Sequence, residues 1–267
     1  MRKNILRELI KKDKPSVGTH IHSMWPGVVE LIGQAGGFDY VEFTSDYAPY
    51  DLYDLDNFAR TTELYGLSSM IKLMPEPRAF MAQKAISSGI QSVMFADITS
   101  VEDAEECVQV IKTEPRGING VGMWRIVGYV FPGVAKEDRL EFLRGEYAQY
   151  LNDIVIAIHI ERKSAFEKLE EILSVKGIDI VQFGPSDFGL STGWNREKIW
   201  EAEVKTIKTA LDLGLRPRAE CKVEDMQKFI DLGVRDFCIG EDVRILYEWW
   251  KERGTNIRKA LRTLDTA

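Results

Sequence analysis

Short apolar runs alternate with amphipathic stretches along the whole chain. The runs are Val17–His22, Asp39–Phe43, Ser69–Leu73, Ser92–Ala96, Ile154–Ile160, Asp179–Phe183, Pro217–Cys221 and Asp236–Gly240. Each has strand length, and most are separated by apolar positions spaced three and four apart, the period of a helix packed on one face. Such alternation predicts an α/β chain whose parallel strands close into a barrel. "Gly-Gly-Phe-Asp" at 36–39, "Ser-Ser-Gly-Ile" at 87–90, "Val-Lys-Gly-Ile" at 175–178 and "Asp-Leu-Gly-Val" at 231–234 each read as a helix ending at glycine before the next strand. No closer repeat and no low-complexity linker is present, so 1–267 is read as a single domain. One connection is long. Asp97–Asp153 holds a helical stretch, Ser100–Lys112, then turn formers over 114–122, then Trp124, Tyr129 and Phe131 among glycines and a proline. The stretch 123–133 is expected to be either a lid over a pocket or an oligomer contact.

The length of 267 residues suits one large barrel. A net charge of −7 argues against a nucleic-acid partner. The three cysteines, Cys107, Cys221 and Cys238, lack metal-ligand spacing and suit a reducing compartment. The first twelve residues form an amphipathic starter helix without the apolar core of a signal peptide, and no 18-residue apolar run occurs. The expectation is a cytoplasmic protein with no membrane partner.

Chemistry concentrates where strands give way to loops. Glu161 closes the run from Ile154, and Asp187 closes the run from Ile180. In a parallel barrel those ends face one pocket. Two acids converging there suit a hard divalent cation such as Mg²⁺ or Mn²⁺. His20 and His22 share a face of the first strand, and His159 shares the face of Glu161; these are the chain's three histidines. A strand histidine is ordinarily a hydrogen-bonded structural residue, but the cluster marks a candidate base or ligand. Lys72 ends a strand and is placed to hold a carboxylate or enolate oxygen. In the turn Gly184-Pro-Ser-Asp187, glycine permits close backbone approach, and the N–H groups of Ser186 and Asp187 suit a substrate carboxylate.

With these residues in view, the chain resembles the HpcH/HpaI family of metal-dependent (class II) 2-keto-acid aldolases. The resemblance runs from about Val17 to Leu246. It is carried by Gly37-Phe-Asp-Tyr-Val41, Pro115-Arg-Gly-Ile-Asn-Gly-Val-Gly122, Ile160-Glu161 and the 177–188 run, Gly-Ile-Asp-Ile-Val-Gln-Phe-Gly-Pro-Ser-Asp-Phe. It implies a (β/α)₈ TIM barrel of the phosphoenolpyruvate/pyruvate-domain type. It further implies that the last helix, here 243–262 with Trp249 and Trp250, is swapped between subunits of a homohexamer built as a trimer of dimers. A helix packed on its own barrel is the plainer alternative.

By the same resemblance, Glu161 and Asp187 match the two metal-binding acids, and Gly184 with Ser186 matches the turn that receives the keto-acid carboxylate. Lys72 stands where the family has an enolate-stabilising arginine, His159 where glutamine is usual, and Tyr47 where a histidine serves in proton transfer. Thr44 replaces the acid paired with that histidine, and Asp46 stands where glutamate is common. His20 or a metal-bound water is the expected substitute base. Glu220 and Lys222 add charge outside the family pattern. The implied reaction is cleavage or formation of a 4-hydroxy-2-keto acid through a pyruvate-type enolate, with Mg²⁺, Mn²⁺ or Co²⁺. The partners are a small 2-keto acid and an aldehyde. Citrate-lyase-like cleavage, decarboxylation or tautomerisation is the alternative chemistry, and a non-catalytic metabolite-binding barrel the other class. For the aldehyde side, Phe188, Trp194 and 123–133 are the candidates.

Overall fold

Side-chain alternation along eight strands decides what fills this barrel. The computed structural model describes residues 1–267 except 121, 123, 263 and 265–267. The strands are β1 (Ser16–Ile21), β2 (Tyr40–Thr44), β3 (Ser68–Leu73), β4 (Ser92–Phe95), β5 (Val155–Ile160), β6 (Ile180–Phe183), β7 (Arg216–Glu220) and β8 (Asp236–Glu241). They pair in parallel in sequence order, and β8 returns to β1 to close the sheet. Each expected run lies within one residue of an observed strand at both ends. Helices Pro26–Ala35 and Arg78–Ser88 stop at Gly36 and Gly89, as the glycine echoes suggested.

Outward-facing strand residues such as Val41, Phe43, Ile71, Val93, Ile156 and Ile158 pack beneath the helices in the main core. Inward-facing ones form a separate cluster of Tyr40, Met70, Met94, Val155, Ala157 and Ile180. The N-terminal helix Ile5–Lys11 closes the barrel's lower end. Its Leu6 joins that inner cluster. Asn4 caps the helix and also donates to Gln91 O (2.7 Å), while Arg7 grips Asp179 with its two terminal guanidinium nitrogens (2.6 and 2.5 Å). Tyr40 fills the axis so completely that a Cβ on Gly18 would meet its ring at 2.2 Å, so glycine is required there.

Above this apolar floor the interior turns polar. Arg218, on β7 and 3% exposed, donates to Glu42 on β2 and to Gln182 Oε1 on β6 (2.5 Å). Burial alone would raise the Glu42 carboxyl, but the Arg218 charge, aided by His20, holds it at about 2. The pair is ionised and dry, an arrangement that costs little while intact and much when one partner is removed.

The long β4–β5 connection corrects one expectation. Its helix, Val101–Gln109, lies where the pattern put it. No described residue of 123–133 lines the cavity at the carboxy-terminal mouth of the barrel. Arg125 instead donates to Ser88 O and to both carboxylate oxygens of Glu63, at helix ends that precede strands, and Val127 and Phe131 join the core. The last helix, Asp242–Leu261, corrects another. It is exposed beyond Asp242, with Ile245, Leu246, Trp249, Trp250 and Ile257 in solvent, so it is not packed on its own barrel. No described helix is long and apolar enough to cross a membrane.

The central pair makes a stability prediction. Arg218→Met should cost about 3–5 kcal/mol by urea unfolding, and the double change Glu42→Gln/Arg218→Met much less. Because the folded Glu42 value lies below its ordinary 4.5, its contribution is complete above that pH. It is lost as pH falls through about 2, so the penalty of Arg218→Met should shrink in acid.

Candidate active site

All eight residues singled out for the site line one cavity of about 250 Å³ at the carboxy ends of the strands: His20, Tyr47, Lys72, His159, Glu161, Gly184, Ser186 and Asp187. This is the face on which barrel enzymes carry their chemistry. On one wall, Glu161 follows β5 and is 4% exposed. Its Oε1 accepts the Asp97 N–H (2.8 Å), and its Oε2 stands 2.9 Å from His159 Nδ1. Burial pushes this carboxyl up, but His159, the Asp97 N–H and Lys72 together bring it down to about 2. It is an anion at neutral pH.

Asp187 sits differently from expectation. β6 ends at Phe183, and a helix, Pro185–Thr192, begins behind Gly184. Asp187 is therefore in a helix's first turn rather than at the end of a strand. Proline at the first helical position needs no N–H partner, which is why the Gly-Pro sequence starts a helix instead of a plain turn. The first intrahelical bond runs from Phe188 N to Gly184 O (3.2 Å), leaving the Ser186 and Asp187 N–H groups ahead of it. Arg162 lies 3.6 Å from Asp187 and also pairs with Asp97, so one guanidinium ties the Asp187 helix to the loop that holds Glu161.

Gly184 is what lets the two loops meet. A Cβ there would lie 2.5 Å from Glu161 Cβ and 2.9 Å from His159 Nε2. Neither ring nitrogen of His159 has a well-formed hydrogen bond, although the ring is buried. Among the described residues, no three His, Cys, Asp or Glu side chains converge tightly enough to enclose a metal. Two acids on adjacent loops, beside a buried imidazole nitrogen without a partner, fit an open oxygen-rich site in which water and substrate complete the coordination.

Lys72, at 7% exposure, is paired with Asp46 (2.9 Å) and lies 3.5 Å from the Tyr47 hydroxyl. Burial would lower its pKa, but Asp46 holds it above the ordinary value. Tyr47 is largely exposed at the rim, its ring stacked on His22 (6.1 Å between centroids). Thr44 Oγ1 is buried without a hydrogen-bond partner.

The opposite wall was only partly anticipated. His20 stands between Glu42 Oε1 (3.9 Å from Nδ1) and Glu220 Oε2 (3.5 Å from Nε2). His22 Nδ1 lies 3.5 Å from Glu241 Oε1, and the His22 and Ser23 N–H groups donate to Asp242 (2.9 and 3.0 Å). Glu42, Gln182 and Glu241 line the cavity and had not been singled out. The only hint of Glu42 was an acid inside the apolar run Tyr40-Val-Glu-Phe-Thr44. Three aldehyde-side candidates are elsewhere. Phe188 is buried against Phe166 and Phe183, Trp194 lies outside the cavity lining over Gly189, and no described residue of 123–133 lines the cavity. Lys222 does not reach it either.

The profile of the HpcH/HpaI aldolase/citrate lyase family matches residues 37–226. The chain belongs to this family. Membership makes it an enzyme of the aldolase kind, in a family that depends in general on a divalent metal. The 2-keto-3-deoxy-L-rhamnonate aldolase of Escherichia coli K12 is 24% identical over 214 residues, which are 78% of this chain and 76% of that protein. The solved HpcH/HpaI aldolase of Desulfitobacterium hafniense DCB-2 superimposes with a TM-score of 0.85 at 24% identity, covering 96% of this chain and 97% of its own. Macrophomate synthase superimposes with a TM-score of 0.84 at 17% identity, covering 97% and 91%. Likeness at these identities is one of fold, and it agrees with the closed eight-stranded barrel.

Gly184→Ala should force the acid-bearing loops apart. The expected result is a loss of about 1–3 kcal/mol by urea unfolding, with a displaced His159 imidazole signal in the NMR spectrum. An unmoved signal would mean that the two loops do not depend on this contact.

Proposed function

We propose that this family member is a divalent-metal-dependent aldolase that cleaves or forms a 4-hydroxy-2-keto acid through a pyruvate-type enolate. The observation that carries the reading is the convergence of Glu161 and Asp187 across the Gly184 turn, at the mouth of a barrel whose family is one of aldolases. The E. coli relative, named for a deoxygenated hydroxy-keto acid, supports the substrate class. Glu161 and Asp187 would hold Mg²⁺, Mn²⁺ or Co²⁺. When bound, such a cation supplies Lewis-acid stabilisation of an enolate.

The chain's own groups account for the remaining needs of the reaction. The Ser186 and Asp187 N–H groups, at a helix start, receive the keto-acid carboxylate. The Lys72 ammonium adds positive charge beside the enolate oxygen. Asp46 already takes part of that charge, and a lysine offers no fork for bidentate contact. The Tyr47 hydroxyl reaches the same side. His20, held between two carboxylates, takes the 4-hydroxyl proton as the C3–C4 bond breaks, releasing the aldehyde, and gives that proton to C3 of the enolate to form pyruvate; addition runs both transfers in reverse. His159, with Nδ1 2.9 Å from Glu161 Oε2, stands beside the acid and is available to the keto acid.

We also infer that the enzyme is a homo-oligomer, a hexamer in the trimer-of-dimers arrangement, through exchange of the last helix. A 20-residue helix with two exposed tryptophans supports this, since a row of large apolar groups is seldom left in water.

Exchange of the pyruvate methyl protons in D₂O, followed by NMR, tests the chemistry. Exchange should require Mg²⁺ or Mn²⁺ and should fall to background in Glu161→Ala; retained exchange in that variant would sink the proposal. Exchange without turnover of any aldol would favour citrate-lyase-like or tautomerase chemistry. For assembly, Trp249→Glu/Trp250→Glu should shift the sedimenting species to a smaller one, and an unchanged mass would remove the helix from the interface.

A further inference from the structure

The wall facing the Glu161–Asp187 pair has no role in handling the keto-acid end. Five carboxylates line the cavity, Glu42, Glu161, Asp187, Glu220 and Glu241, against one lysine, Lys72, which is itself paired with Asp46. Glu161 and Asp187 are the pair assigned above to the cation. Glu42, Glu220 and Glu241 stand instead beside His20 and His22.

Two features show what this wall takes. First, its charge repels an anion: among the described residues, no arginine and no second lysine lines the cavity to receive one. Arg218, beneath it, is already committed to Glu42 and Gln182. Second, the wall holds polar atoms without partners. Glu42 Oε1 is wholly buried, lines the cavity and accepts no hydrogen bond; His20 Nε2 and Thr44 Oγ1 are buried in the same condition. An acceptor, an imidazole nitrogen and a hydroxyl, all unpaired, are complementary to groups that both donate and accept. Hydroxyls do so, whereas a carboxylate only accepts and an ammonium only donates.

Resting on the aldolase reading above, we propose that Glu42, Thr44, His20, His22, Glu220 and Glu241 form the subsite for the aldehyde-derived half of the substrate, and that they select an uncharged, hydroxylated chain over one ending in a carboxylate. Glu220 and Glu241 supply the discrimination by repelling a terminal anion. Glu42 and Thr44 hold the hydroxyls.

Binding of keto acids that lack the 4-hydroxyl, and so cannot be cleaved, tests this apart from turnover. Calorimetric titration of the Mg²⁺-loaded enzyme should give 6-hydroxy-2-oxohexanoate a Kd about tenfold or more below that of 2-oxoadipate. Pyruvate serves as the reference for the shared end. In Glu220→Gln/Glu241→Gln the ratio should narrow to about twofold. If the double variant does not fold, Glu220→Gln alone, the more exposed of the two acids, should narrow the ratio part of the way. Equal affinities, tighter 2-oxoadipate, or a ratio indifferent to these changes would overturn the proposal while pyruvate binding left the aldolase reading standing. Failure to bind pyruvate at all would remove that reading, and this one with it.

Discussion

A guanidinium with no access to water organises the upper half of this barrel. Arg218 spans the axis from β7 to Glu42 on β2 and Gln182 on β6, with Tyr40 beneath it. An ion in that position is tolerable only if every strand around it presents its partner at the right height. The register supplies this: Gln182 lies beside Arg218 across β6 and β7, and Glu42 beside His20 across β1 and β2. A one-residue slip in any of these strands would turn a partner outward and strand the charge. The buried pair thus fixes the geometry of the ring in which His20, Glu220 and Lys72 stand.

From that layer upward the barrel divides into two walls of different character. On the β5–β6 side, backbone closeness does the organising. Gly184 brings a helix start against Glu161, and Arg162 links the two loops. On the β1–β2–β7–β8 side, side chains do it, through imidazole–carboxylate neighbours that leave several polar atoms unpaired. The first wall is built to hold charge in place. The second presents donors and acceptors that only a further polar group can satisfy.

What could be read from sequence divides along the same line. Strands and helix stops were legible because they are periodic and local. Glu161 was legible because an acid directly after an apolar run marks the point where a buried strand comes out into a pocket. Asp187 was expected at that pocket for the right reason but on the wrong element, since Gly-Pro reads as a turn until the following residues are seen to wind. Arg218 and Glu42 stand 176 positions apart, and nothing local marks them as partners. The aromatic, glycine-rich stretch near 124–131 has the composition of a lid. Its position was decided by Arg125 finding Glu63 and Ser88, a pairing that composition does not display.

The starter helix has a consequence for the order in which the molecule assembles. Asn4 and Arg7 are anchored on Gln91, Asp153 and Asp179, up to 172 positions away. During synthesis this helix has no place to settle until most of the chain behind it has followed. The lower end of the barrel is therefore closed late, after the central strands have met, and the loop-closure entropy of that step is spent on a helix of two turns. Until then Tyr40, Met70 and their neighbours face water from below, which makes the nearly finished barrel the state most exposed to misassociation.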